Sequence, residues 1–196
     1  NMYSMFRRTA MDNTNPGINT KQVTVDGNTY YAWDVSNVTS MQYMFYQAYD
    51  FDSDISNWDT SSLVNAIGTF AYAYKFNSDI GSWDMSNVTS LSQFLYLATE
   101  FDGDLSSWNV DNCVNFYYLF ASTKIDFDLS SWNVSNVTDM SNTFFGSTSF
   151  DQNLSAWDIA NVTSFTNFSR NITFSTANYD AILIGWEATL QATYPS

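Results

Sequence analysis

Histidine is absent from the 196 residues, cysteine occurs once, at Cys113, and proline only twice. Without histidine the chain has no Ser-His-Asp arrangement and lacks the commonest general base and zinc ligand. A single cysteine excludes an internal disulfide and any cysteine-based metal cluster. Basic residues are also scarce: six Lys and Arg stand against twenty Asp and Glu, for a formal charge of -14. Such a surface repels a nucleic-acid backbone and an anionic membrane. No run of eighteen apolar residues exists, so direct membrane insertion is not expected either. No Gly-rich phosphate loop appears. Enzyme activity is therefore not expected.

Apolar and aromatic residues are plentiful, at 45% and 18%, enough for a sizeable buried core. Their order is repetitive. Trp33, Trp58, Trp83, Trp108, Trp132 and Trp157 follow one another at 25, 25, 25, 24 and 25 residues. An apolar residue recurs five places after each: Val38, Leu63, Val88, Cys113, Val137 and Val162. Cys113 thus reads as a small buried hydrophobe.

Alternation around each tryptophan suggests a very short strand. After it, Val38, Met41, Met44, Phe45 and Ala48 stand at the spacing of one helix face, with Thr39 or Ser40 as the cap. Phe51, Phe76, Phe101, Ile125 and Phe150 plug the core from a turn. Elements this small must stack on their neighbours. The fold class expected is α/β: a right-handed leucine-rich-repeat-like solenoid of about 25-residue units, each with a very short parallel strand and a short helix. The tryptophans then form a ladder, packed in the core rather than exposed as a carbohydrate-binding strip. Four places after each tryptophan come Asn37, Ser62, Asn87, Asn112, Asn136 and Asn161, whose side chains can satisfy backbone groups of neighbouring coils.

The unit at 33–57, WDVSNVTSMQYMFYQAYDFDSDISN, resembles the BspA-like branch of leucine-rich repeats found in bacterial surface proteins and mycoplasma lipoproteins. It returns at 58–82, 83–107, 108–131 and 132–156, and in altered form from 157. Residues 1–9 look like the end of an earlier unit, 10–32 like an inserted β-hairpin, 33–176 like the repeats and 177–196 like a closing segment of one domain, 1–196. In that closing segment Tyr179, Ile182, Leu183 and Trp186 fall at helical spacing. In the hairpin, Val23 and Val25 precede Asp26-Gly27 and Tyr30 follows. Because the chain opens in mid-pattern, we expect it to belong to a longer one.

The resemblance implies an extracellular or cell-surface binding module that contacts a protein or glycan in adhesion. Tyr43, Tyr72, Tyr117 and Tyr118 are the candidate contact residues. A non-catalytic spacer, filament subunit or phage appendage, held by self-association at its ends, is the alternative. Asp52, Asp54, Asp79, Asp102, Asp104, Asp126 and Asp128 recur at matching places. They read as a solvated acidic edge or as a calcium site, with no other cofactor expected.

Overall fold

The computed structural model describes residues 20–25 and 28–194, with side chains from Trp33 onward. Strands β1 (Thr20–Val25) and β2 (Asn28–Trp33) pair antiparallel, in register from Thr20↔Trp33 to Val25↔Asn28. This is a hairpin where one was expected. The expected turn Asp26-Gly27 and the partial unit at 1–9 lie outside the described residues. From Trp33 the chain winds through six coils, one for each tryptophan from Trp33 to Trp157, and continues into a helix, α1 (Thr176–Thr193).

The coils correct the expected α/β solenoid of strand-and-helix units. Among the described residues, 34–175 hold no helix and no strand. What joins the coils is a set of isolated parallel bridges, Ser40↔Asn65, Asn65↔Ser90, Ser90↔Asn115, Asn115↔Asp139 and Asp139↔Ser164. They lie seven residues beyond each tryptophan, not at it.

Backbone hydrogen bonding explains why the apparent helix face is not a helix. In the first coil the N–H groups of Met41, Tyr43, Phe45 and Gln47 donate across to the carbonyls of Asn65, Ile67, Thr69 and Ala71 in the next coil. The alternate N–H groups of Met44, Tyr46 and Ala48 close tight turns onto Met41, Tyr43 and Phe45. Half the donors are thereby committed to a neighbour, and no continuous i→i−4 series can form. Each coil also takes two left-handed residues four apart. Tyr43 and Gln47 are the first pair, and Gln93 and Leu97 another. Glycine fills such a place at Gly68, where φ is 59° and an added Cβ would stand 2.2 Å from the Tyr43 ring. The residues expected to cap a helix fold tight turns instead. The Ser40 and Ser90 hydroxyls accept from the N–H groups of Gln42 and Ser92, two residues on.

Side chains inside the wound chain stack on their counterparts. Trp58 and Trp83 lie 5.8 Å apart and 9° from parallel, and Trp108 and Trp132 lie 6.4 Å apart at 6°. The repeat tryptophans are buried, which places them in the core. The plugs Phe51, Phe76, Phe101, Ile125 and Phe150 are buried as well, with Phe70 stacked on Phe76 at 3.8 Å. Burial of each large apolar side chain contributes roughly 1.5–3 kcal/mol. Cys113 is fully buried; its thiol donates to the Val88 carbonyl, and burial pushes its pKa up to about 12.

Polar side chains add two further columns of inter-coil bonds. The indole N–H groups of Trp83, Trp108, Trp132 and Trp157 donate to the carbonyls of Ile55, Ile80, Leu105 and Leu129 one coil back. The amides of Asn87, Asn112, Asn136 and Asn161 donate to Ser61, Ser86, Asp111 and Ser135, so this recurrent asparagine does serve the backbone of its neighbour. The 24-residue coil from Trp108 keeps every column. Its missing residue is absorbed at the turn, where the Lys124 N–H donates to Phe101, while its counterparts Lys75 and Glu100 donate to Tyr49 and Tyr74.

Helix α1 closes the stack by imitating a seventh coil. The Trp186 indole donates to the Leu154 carbonyl and so extends the tryptophan column. The Tyr194 hydroxyl donates to the Ala160 carbonyl, where an asparagine would otherwise reach. Asp151 accepts from the Ser175 N–H and the Asn178 amide, as Asp126 accepts from the Asp151 N–H. Ile182 is buried and Trp186 packs on Phe165 and Phe168, but Tyr179 and Leu183, expected to face inward, are exposed. Gly185 sits so close that a Cβ would lie 2.4 Å from the Ser155 carbonyl oxygen.

Two tests follow from this closure. Gly185→Ala gains helix propensity, at most about 1 kcal/mol. It must also push α1 off the sixth coil, at a cost of about 1–3 kcal/mol. Urea unfolding should show net destabilisation, and an unchanged or raised midpoint would refute the packing described. The second test uses acid. The Ser175 N–H, then the Asn178 amide, hold the Asp151 carboxyl below its ordinary value of 3.8. A depressed folded-state pKa stabilises fully above the unfolded value, and that contribution is lost as pH falls through the folded one. The Asn178 side-chain amide signals should therefore shift only below about pH 3.8, and Asp151→Asn should abolish the shift.

Candidate binding surface

Left-handed and turn residues that cannot point inward put their side chains on one flank of the stack. Tyrosine occupies many of these places, and the result is a continuous stripe. Tyr43 lies 5.4 Å from Tyr46, Tyr46 lies 5.5 Å from Tyr72, and Tyr72 lies 5.1 Å from Tyr96. Tyr96 is 4.7 Å from Tyr118, which meets Tyr117 at 4.6 Å and Phe145 at 6.4 Å. All of these rings are half-buried. The Tyr43 hydroxyl donates to the Gln93 side-chain oxygen, reaching past the second coil to the third.

The four tyrosines singled out from the sequence, Tyr43, Tyr72, Tyr117 and Tyr118, thus belong to one surface. The sequence reading missed Tyr46 and Tyr96, which join them into a stripe, and Phe145, which ends it. It also missed Tyr49 and Tyr74, stacked 5.1 Å apart at 8°, with 38% and 39% of their area exposed. A recurrent tyrosine thirteen or fourteen places after the tryptophan, at Tyr46, Tyr72 and Tyr96, was the available signal. Beside the stacked pair, Lys75 pairs with Asp50 and Lys124 with Glu100. Burial, then the neighbouring Tyr72 hydroxyl, pushes the Tyr96 phenol up to about 12.

The acidic positions are arranged otherwise. Asp54, Asp79, Asp104 and Asp128 each accept from the N–H two residues on, at Ser56, Gly81, Ser106 and Ser130. Those bonds, with the serine hydroxyl foremost at Asp54, hold the Asp54 and Asp128 carboxyls below their ordinary range. Asp52 accepts from the Asn77 N–H, Asp102 from the Asn77 amide and Asp126 from the Gln152 amide, so this row ties coil to coil. An open depression of 390 Å³ is lined by Asp52, Asp54, Ser56, Asn77, Ser78 and Asp79. Among the described residues no group of three or more Cys, Asp or Glu side chains is placed to hold a metal ion. Nor is any described helix long and apolar enough to cross a membrane.

Stacked copies of one short unit, with a shared aromatic flank, define a repeat protein. The chain belongs to the family described as Mycoplasma protein of unknown function, DUF285, which matches residues 1–128 and 119–186. No curated protein and no solved structure gives a significant match.

Spectrophotometric titration checks the stripe. Tyr96 should ionise near pH 12, and Tyr96→Phe should remove the absorbance step at that pH alone. A titration that finishes in one unresolved step, unchanged in Tyr96→Phe, would contradict the burial described.

Proposed function

We propose that the chain is a non-catalytic binding module of a BspA-like surface protein, which contacts a protein or glycan in adhesion through its tyrosine flank. The observation that carries the reading is the stripe from Tyr43 to Phe145 with the stacked Tyr49 and Tyr74 beside it. Tyrosine supplies broad, stiff contact area and a hydroxyl for hydrogen bonding, and binding energy concentrates on such residues. Repetition along a stack suits extended ligands, since each coil offers a similar foothold at a fixed spacing. Placement outside the cell belongs to the same proposal.

Screening the purified chain against glycans and surface proteins, with light scattering in the same buffers, tests it. A saturable ligand should bind the monomer. Tyr49→Ala and Tyr74→Ala should each weaken binding by more than about fivefold while costing no more than about 1–2 kcal/mol of stability, the loss of the stacked ring. Ordered multimers with no ligand would favour the spacer or filament reading instead.

A further inference from the structure

Helix α1 caps some of the columns that join coil to coil and leaves one open. At four of the five internal junctions the residues 8, 10, 12 and 14 places after the tryptophan supply N–H donors to the next coil, as Phe116, Tyr118, Phe120 and Ser122 do, and at the remaining one Gly68, Phe70 and Tyr72 do. In the sixth coil these residues are Phe165, Asn167, Ser169 and Asn171, and their N–H groups have no partner among the described residues. The Thr163 carbonyl also lacks the donor that its counterparts Val64, Thr89, Val114 and Thr138 receive. Asn167 and Asn171 are exposed, as is Arg170 between them. Lys75 and Lys124 are each paired with a carboxylate, while Arg170 has no such partner among the described residues.

We propose that this edge, residues 163–171, docks a linear acidic segment of a partner protein, which adds one more rung to the backbone ladder. Four donors and one acceptor require an occupant rich in free carbonyls, as any extended peptide is. A second copy joined through the same edge would set donor against donor. A whole further coil is excluded because Trp186 and Tyr194 already hold the places of its tryptophan and asparagine. A short segment fits the space left over, and the unpaired guanidinium on an otherwise acidic molecule selects for carboxylate side chains.

Amide-resolved NMR of the whole chain tests this without a destabilising variant. The probe is a synthetic peptide of residues 137–147, whose carbonyls at Asp139, Ser141, Thr143 and Phe145 accept, inside the protein, from the counterpart donors Phe116, Tyr118, Phe120 and Ser122. The expected result is saturable binding with shifts confined to 163–171. Exchange at the amides of Phe165, Asn167, Ser169 and Asn171 should slow more than roughly tenfold. Arg170→Glu should weaken roughly fivefold a Phe145→Glu analogue of the peptide, whose carboxylate the register sets beside Arg170, and leave a Phe145→Gln analogue unaffected. The proposal is overturned by shifts that fall on the tyrosine stripe, by no saturation at millimolar peptide, or by equal effects of Arg170→Glu on both peptides. Protection of the same four amides by raised protein concentration alone would also overturn it, since the occupant would then be another copy.

Discussion

Every coil of this protein is held by hydrogen bonds that leave it. A chain wound without strands or helices exposes its own amide groups, and burying them unpaired would cost more than the apolar core returns. The solution is a set of columns parallel to the stack, in which backbone, indole and asparagine donors each find an acceptor one coil away and aspartate carboxylates accept from the neighbouring coil. The columns fix the unit length. They also explain why tryptophan recurs where another large apolar residue would fill the same volume: its N–H completes a column, and at Trp83 and Trp132 its ring also stacks on the tryptophan one coil back.

The aromatic flank is a consequence of the same arrangement. Alternate residues of each tight-turn segment are committed to neighbours through their N–H groups, and the left-handed ones among them, such as Tyr43 and Tyr72, turn their side chains away from the core. At those outward places the columns specify the height of each residue and leave its identity free. Tyrosine there costs the fold little, and five coils aligned by their backbone bring rings that are distant in sequence to within van der Waals contact. The fold thereby separates residues that hold the stack from residues that face outward.

Much of this could be seen in the residues alone. The tryptophan spacing located the coils, the shared slot of Cys113 with Val and Leu predicted its burial, and the recurrent asparagine predicted a bond between neighbours. The hairpin and the closing helix were legible from turn residues and apolar spacing. The helix within each unit was misread for a specific reason. Met41, Met44, Phe45 and Ala48 recur with a period of four, set by tight turns that each include a left-handed residue, and over eight residues that period is indistinguishable from 3.6. Glycine would have betrayed the left-handed places, but only Gly68 and Gly146 announce them; tyrosine, glutamine, leucine, serine and asparagine fill the rest. The tyrosine stripe was half legible. Its members could be counted, but their alignment depends on the cross-coil register, which the helix reading obscured.

The coil that begins at Trp108 is one residue short and disturbs nothing beyond its own turn. Loss of a residue from the tight-turn segment would instead slip four amides out of step with both neighbours at once. Length can therefore change in this molecule by duplication or deletion of whole coils, or by small edits at the Lys124 turn, and hardly otherwise. The outward side chains obey no such rule and can diversify one at a time. Lineages carrying this repeat should accordingly differ in the number of coils and in surface aromatic pattern well before they differ in unit length.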